Sequence, residues 1–193
     1  MAEMRPIIPT DVTYTRTAIA LHWLTVALIA TGFTVGKWMV GLPLAPQTLR
    51  VYAYHKWIGI TVFLVTIARL GWRFAHPVPP PAGLPAWQRR AATASHVSLY
   101  VLMLGVPLSG WLFSSASGVQ VIYLGLLALP NLVPKDDALA ATLKSVHFAL
   151  NFTLLAVVLA HAGAALRHYF VERDRVLQRM LPALAGHHED PTR

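Results

Sequence analysis

The apolar positions of this chain fall into four long runs separated by short polar or proline-rich breaks. The first covers residues 18–40, long enough at about 1.5 Å per residue to cross a hydrocarbon core of roughly 30 Å. Gly41, Pro43 and Pro46 break it. A second run begins near residue 51 and ends near 74. Residues 77–85, PVPPPAGLP, read as a stiff extended connector, because proline lacks the amide donor that a helix needs. A third helix is expected over 87–113, kinked by Pro107, which membrane helices tolerate when neighbours satisfy the freed carbonyl. The fourth, over 136–170, opens on Asp136 and Asp137, whose charge suits a helix N-terminus. Between the third and fourth helices, 114–135 is apolar but too short for a span, and reads as a loop either partly dipped into the membrane or lying on its surface. The pattern predicts an all-α integral membrane protein: an N-terminal arm over 1–17, a four-transmembrane-helix bundle within 18–171, and a charged tail over 172–193.

Composition sharpens this picture. Hydrophobic residues make up 55% of the chain and charged residues 12%, which is the composition of a membrane protein. The formal charge of +8 does not point to nucleic acid, because Lys and Arg flank the apolar runs and form no basic groove. They read as anchors at a lipid bilayer. Eleven of the sixteen Lys and Arg residues lie on the side of the two chain ends and the proline-rich connector. Lys37, Arg50, Lys56, Lys135 and Lys144 lie on the other. By the positive-inside bias both termini are expected in the cytoplasm, which requires an even number of spans. His22 and Trp23 inside the first run, with no small-residue cleavage site after a short core, suit a retained helix better than a signal peptide. The absence of cysteine excludes disulfides, iron–sulfur clusters, thiolate ligation and covalent haem attachment.

Ligating groups inside membrane helices raise a functional hypothesis by default. His22 and His96 lie near the inner ends of the first and third helices, His55 near the outer end of the second. His147 and His161 stand at the outer and inner ends of the fourth. Fourteen residues separate these last two, close to four helical turns, so both share a face roughly 21 Å apart along the axis. That separation suits two stacked haems, and depth matching pairs His55 with His147 and His22 with His161. Two opposed imidazoles give a six-coordinate iron suited to electron transfer. Zinc fits poorly, since no two of these histidines stand at i, i+3 or i+4 and no carboxylate accompanies them. A proton relay or transporter would bring buried Asp or Glu, which the spans lack. Gly32, Gly36, Gly59, Gly105, Gly110 and Gly163 either make room for a macrocycle or pack helices closely. Arg69 and Arg73, one turn apart at the inner end of the second helix, either bind inner haem propionates or snorkel to the interface.

LHW at 21–23, HKWIG at 55–59, SHVSLY at 95–100, LKSVH at 143–147 and LAHAGAALRHYF at 159–170 resemble the bacterial cytochrome b561 family, over nearly the whole chain. The resemblance implies a four-helix inner-membrane bundle with two haems b, ligated at positions that fall on His22, His55, His147 and His161. In length and in the tail sequence LQRMLP at 177–182 the chain is most similar to the compact stand-alone members that act as superoxide oxidase. Those take electrons from superoxide at the periplasmic face and reduce ubiquinone. Other members are non-enzymatic electron-transfer subunits serving a partner dehydrogenase, hydrogenase or periplasmic cytochrome, and that remains the alternative.

Two further sites are expected on the superoxide reading. The five outer cations stand against Asp136 and Asp137, a net of +3, and a positive mouth concentrates a small anion. Lys144, one turn before His147, is the leading catalytic candidate there. For ubiquinone the candidates are His168, close to two turns beyond His161, and His96. An imidazole at that depth can hydrogen-bond a quinone carbonyl and supply a proton. His96 is alternatively a support for the propionates or a substitute ligand for His161.

Overall fold

The computed structural model describes residues 14–43, 45–77, 85–173 and 177–181. The N-terminal arm with Arg5, most of the proline-rich connector and the end of the tail, including His187 and His188, lie outside the described residues.

Four long helices make up most of the described residues. Helix α1 spans Arg16–Val40, and its first turn is capped by Thr15, whose side chain accepts a hydrogen bond from the Ala18 N–H. Helix α2 spans Pro46–Ala75. It starts at Pro46 rather than near residue 51, because a proline at the first helical position gives up a donor that would be unused there and brings a pre-set φ. Helix α3 spans Ala86–Ala116 and runs through Pro107. Helix α4 spans Asp137–Arg167, with the Asp136 carboxylate accepting from the Leu139 N–H at 2.9 Å. It continues as a π-helical turn, His168–Glu172. All four helices are long and apolar enough to cross a membrane. Large side chains such as Leu64, Val101, Phe152 and Leu159 stand exposed on their outer faces. A soluble protein rarely shows so much apolar surface.

Between α3 and α4 the chain does more than cross as a loop. Ile122–Tyr123 (β1) pairs antiparallel with Leu127–Ala128 (β2), Ile122 opposite Ala128 and Tyr123 opposite Leu127. Leu124 and Gly125 turn the hairpin with φ of 54° and 73°, the doubly positive turn that matches the twist of two short strands.

The helices pack in chain order, α1 on α2, α2 on α3 and α3 on α4, whereas α1 and α4 make no close backbone approach, nor do α2 and α4. The two hairpin-like pairs α1/α2 and α3/α4 are therefore joined along one seam and stand apart elsewhere. What fills the middle is one apolar cluster: Val62, Leu102, Met103, Val106 and Leu154, flanked by Ile29, Phe33, Ile58 and Val157. Leu154 lies midway along α4 between His147 and His161, and Met103 midway along α3 between His96 and Gly110. The packed core is thus a slab at mid-height, and the histidines lie above and below it. Hereafter the two ends of the bundle are the hairpin end, carrying β1 and β2, and the terminal end, where α1 begins and α4 finishes.

Leu154, 3% exposed, tests the slab. Leu154→Ala should lower the thermal unfolding midpoint, at a cost of about 2–4 kcal/mol for a buried leucine. Leu159→Ala on the outer face should stay within about 0.5 kcal/mol. Equal effects in a thermal melt of the two purified variants would show that the slab is not the packed core.

Candidate cofactor site

At the hairpin end, His55 on α2 and His147 on α4 bring their ring centres to 6.4 Å, with the planes nearly perpendicular. Each ring lies over a glycine of the neighbouring helix. A Cβ at Gly36 would stand 2.9 Å from Cε1 of His55, and a Cβ at Gly110 would stand 2.9 Å from Cε1 of His147. Any side chain there would push the ring away. The two frames repeat each other: a ring on the second helix of a pair sits against a glycine on the first.

The nitrogens are treated differently. His147 Nδ1 lies 3.1 Å from the Val106 carbonyl and 2.9 Å from Ser109 Oγ. Ser109 donates its own proton to that same carbonyl at 2.7 Å. A carbonyl only accepts, so His147 carries its proton on Nδ1 and keeps the Nε2 lone pair free, the arrangement that orients a metal-ligating imidazole. His55 Nδ1 is buried without a hydrogen-bond partner, although the Gly32 backbone, one turn before Gly36, lies beside it. An orphaned buried nitrogen is costly unless the ring is otherwise engaged.

The separation of the rings fits one iron between them. Metal–imidazole bonds of about 2 Å, with roughly 1 Å more from each nitrogen to its ring centre, put the two centres about 6 Å apart. Around these rings neither α1 nor α2 makes a close backbone approach to α4. Among the described residues no group of three or more His, Asp or Glu side chains forms a metal-ion cage.

The terminal end gathers more polar groups. A cleft there is lined by His22, His96, His161, Arg69, Arg73 and Tyr100, among others. His96 and His161 stand 5.4 Å apart between ring centres, closer than one iron between them needs. Arg69 Nη2 donates to His22 Nδ1 at 2.9 Å, and its guanidinium lies over the Tyr100 ring. Arg69 thus faces into the cleft, and Arg73, which is exposed, stands at its edge. Trp23 Nε1 donates to the Met180 carbonyl, so the segment at 177–181 folds back over the cleft rather than trailing away. Nothing in its local pattern signals that return.

Lys144 and His168 are placed less centrally than their spacing suggests. Lys144 is exposed on α4. The cation built into the hairpin end is Lys56, half-buried beside His55, whose Nζ donates to Ser114 Oγ at 2.7 Å. His168 does not line the histidine cleft. Its Nδ1 meets Glu172 Oε2 at 2.8 Å, and Arg167 and Gln88 also reach Glu172.

The sequence profile of prokaryotic cytochrome b561 matches residues 13–183. Two cytochrome b561 homologues of Escherichia coli K12 are each 33% identical to the chain. One alignment covers 84% of this chain and 87% of the relative, the other 88% and 97%. A protein of Yersinia pestis named a probable superoxide oxidase is 28% identical over 90% of this chain and 98% of its own length. The family binds b-type haem.

The glycine frames make a direct test. Gly36→Ala and Gly110→Ala should each displace a histidine ring and lower the haem b content of the purified protein, read by the pyridine haemochrome. Gly71→Ala, exposed and with nothing within 4 Å of the added carbon, should leave it unchanged. Full haem content in both frame variants would remove the glycines from the site.

Proposed function

Since the chain belongs to the prokaryotic cytochrome b561 family of membrane b-type cytochromes, we propose that it is a dihaem superoxide:ubiquinone oxidoreductase. In this reading the hairpin end faces the periplasm and both termini face the cytoplasm of a bacterial inner membrane. The observation that carries it is the pair of ring sites on opposite sides of the apolar slab, with His55 and His147 at one level and His161, fourteen residues on, at the other.

A b-type haem at each level supplies reversible one-electron chemistry when bound. The chain's own residues do the rest. His55 and His147 hold the outer iron, and the Val106 carbonyl and Ser109 fix the tautomer of His147. His22 and His161 hold the inner iron once Arg69 releases His22 Nδ1, because a ring that accepts there carries its proton on Nε2; His96 packs beside His161. Arg69 and Arg73 in the inner cleft suit the two carboxylates of a haem, to which a guanidinium binds in a bidentate fork.

Lys144 and Lys56 draw superoxide to the outer mouth. The similarity to a protein named for superoxide oxidation supports that substrate. Two superoxide anions each lose one electron and leave as oxygen, while one ubiquinone takes up two electrons and two protons. His168, held by Glu172, and His96 are the groups proposed to bind the quinone carbonyls and pass protons from the cytoplasmic side. A positive mouth that steers a small anion requires no partner protein, which separates this reading from that of an electron conduit.

The purified protein should contain two haems b with low-spin bands. Replacing His147 should remove one, and replacing His161 the other. One haem per chain with all four histidines present would sink the two-site arrangement. In stopped flow, superoxide alone should reduce the haems. Lys144→Ala should slow that step and flatten its salt dependence, because an exposed charge is screened over roughly 8 Å at physiological ionic strength. Reduction only in the presence of a partner protein would make the chain a conduit instead.

A further inference from the structure

The hairpin between α3 and α4 is apolar where it is most exposed. Leu124, Leu126 and Leu127 are 52%, 88% and 58% exposed, and Ile122 is 50% exposed. No charged residue occurs from Val119 to Pro134. Its height along the bundle can be read from what it touches. Residues 17–36 of α1 carry no charge and lie between Arg16 and Lys37. At 1.5 Å per residue they span about 30 Å, the thickness of the hydrocarbon. Gly36 is level with His55, and His147, one turn inside Lys144, is level with both. The hydrocarbon boundary at this end therefore passes close to Lys37, Lys144 and His55.

The hairpin hangs below that boundary. Trp57 Nε1 donates to the Ile122 carbonyl at 2.7 Å. Thr61 donates to the Trp57 carbonyl and accepts from the Tyr123 hydroxyl at 3.0 Å. Trp57 and Thr61 lie about 3 Å and 9 Å deeper along α2 than His55. A carbon added at Gly125 would touch the Trp57 ring at 3.9 Å. The strands thus run alongside the membrane-level part of α2, toward the exposed face that Leu64 continues.

Backbone polar groups in hydrocarbon must be satisfied internally, and here many are. Besides the β1–β2 pairing, the Leu126 N–H donates to the Tyr123 carbonyl and the Leu129 N–H to that of Val121. Gln120 Nε2 reaches the Leu129 carbonyl and Trp111 Nε1 that of Pro130. A tip of exposed leucines would be poorly solvated in water, but it suits acyl chains.

We infer that residues 120–129 form a re-entrant hairpin embedded in the leaflet at the Lys37–Lys144 end, with Leu124, Leu126 and Leu127 in contact with lipid acyl chains. The hairpin clads the outer face of α2 beside the His55 level. Its occupant is lipid, not water and not a second polypeptide.

The chain has no cysteine, so a single introduced one gives a unique label. Leu126→Cys, Leu64→Cys and Gln47→Cys in the full chain, nitroxide-labelled and reconstituted in phosphatidylcholine vesicles, compare the tip with the lipid face of α2 and with its outermost turn. At Leu126 the label should collide with oxygen as at Leu64, and with a water-soluble nickel chelate about tenfold less than at Gln47. Leu124→Cys gives the same comparison should the first variant not assemble. Chelate access equal to that at Gln47 would return the hairpin to the water. Protection from both reagents would mean that protein covers it. Either result overturns the inference.

Discussion

An imidazole ring among apolar helices must have each nitrogen accounted for, and much of this bundle is arranged around that requirement. Where burial takes ring nitrogens out of reach of solvent, the helices supply a partner for most of them. The Val106 carbonyl and Ser109 take the Nδ1 proton of His147, Arg69 donates to His22, and glycine backbones at 36 and 110 let two rings lie flush against a neighbouring helix. In His147 this leaves the Nε2 lone pair free to engage something held between the helix pairs, whereas His22, accepting from Arg69, carries its proton on Nε2.

The same requirement explains why the core sits where it does. Two ring levels about 21 Å apart along α4 leave a slab between them, and there apolar side chains from all four helices pack against one another. The backbones of α1 and α2 stay away from that of α4 throughout. A bundle that packed tightly along its whole length would leave no place for a macrocycle. This one is held together by a central layer and by the α2–α3 seam.

Charge is placed differently at the two ends. The terminal end turns the Arg69 guanidinium inward, onto His22 and Tyr100, with Arg73 at the edge of the cleft. The hairpin end presents lysines, most of them exposed, with Lys56 tethered through Ser114, which in turn donates to the Val119 carbonyl at the foot of the hairpin. The hairpin, the lysine and the His55 level are thereby linked mechanically, since Trp57 and Thr61 of α2 hold the strands.

The spans, their number and the class of fold could be read from the sequence, because a helix crossing lipid must announce itself as a long uncharged run. The common level of His55 and His147 was also legible, since helical rise converts residue number into height. Height is one coordinate, and it does not say which side chains meet. That His96 comes closer to His161 than one iron between them allows, that Lys56 rather than Lys144 is drawn into the hairpin end, and that Met180 returns to Trp23 were decided by helix rotation and by chain segments with no period. That Glu172 holds His168 is likewise a contact that residue spacing does not record. The stretch over 114–135 was illegible for a related reason. Its hairpin depends on two residues with positive φ and on hydrogen bonds to Trp57, Thr61 and Trp111, contacts between positions far apart in the chain that local pattern does not record.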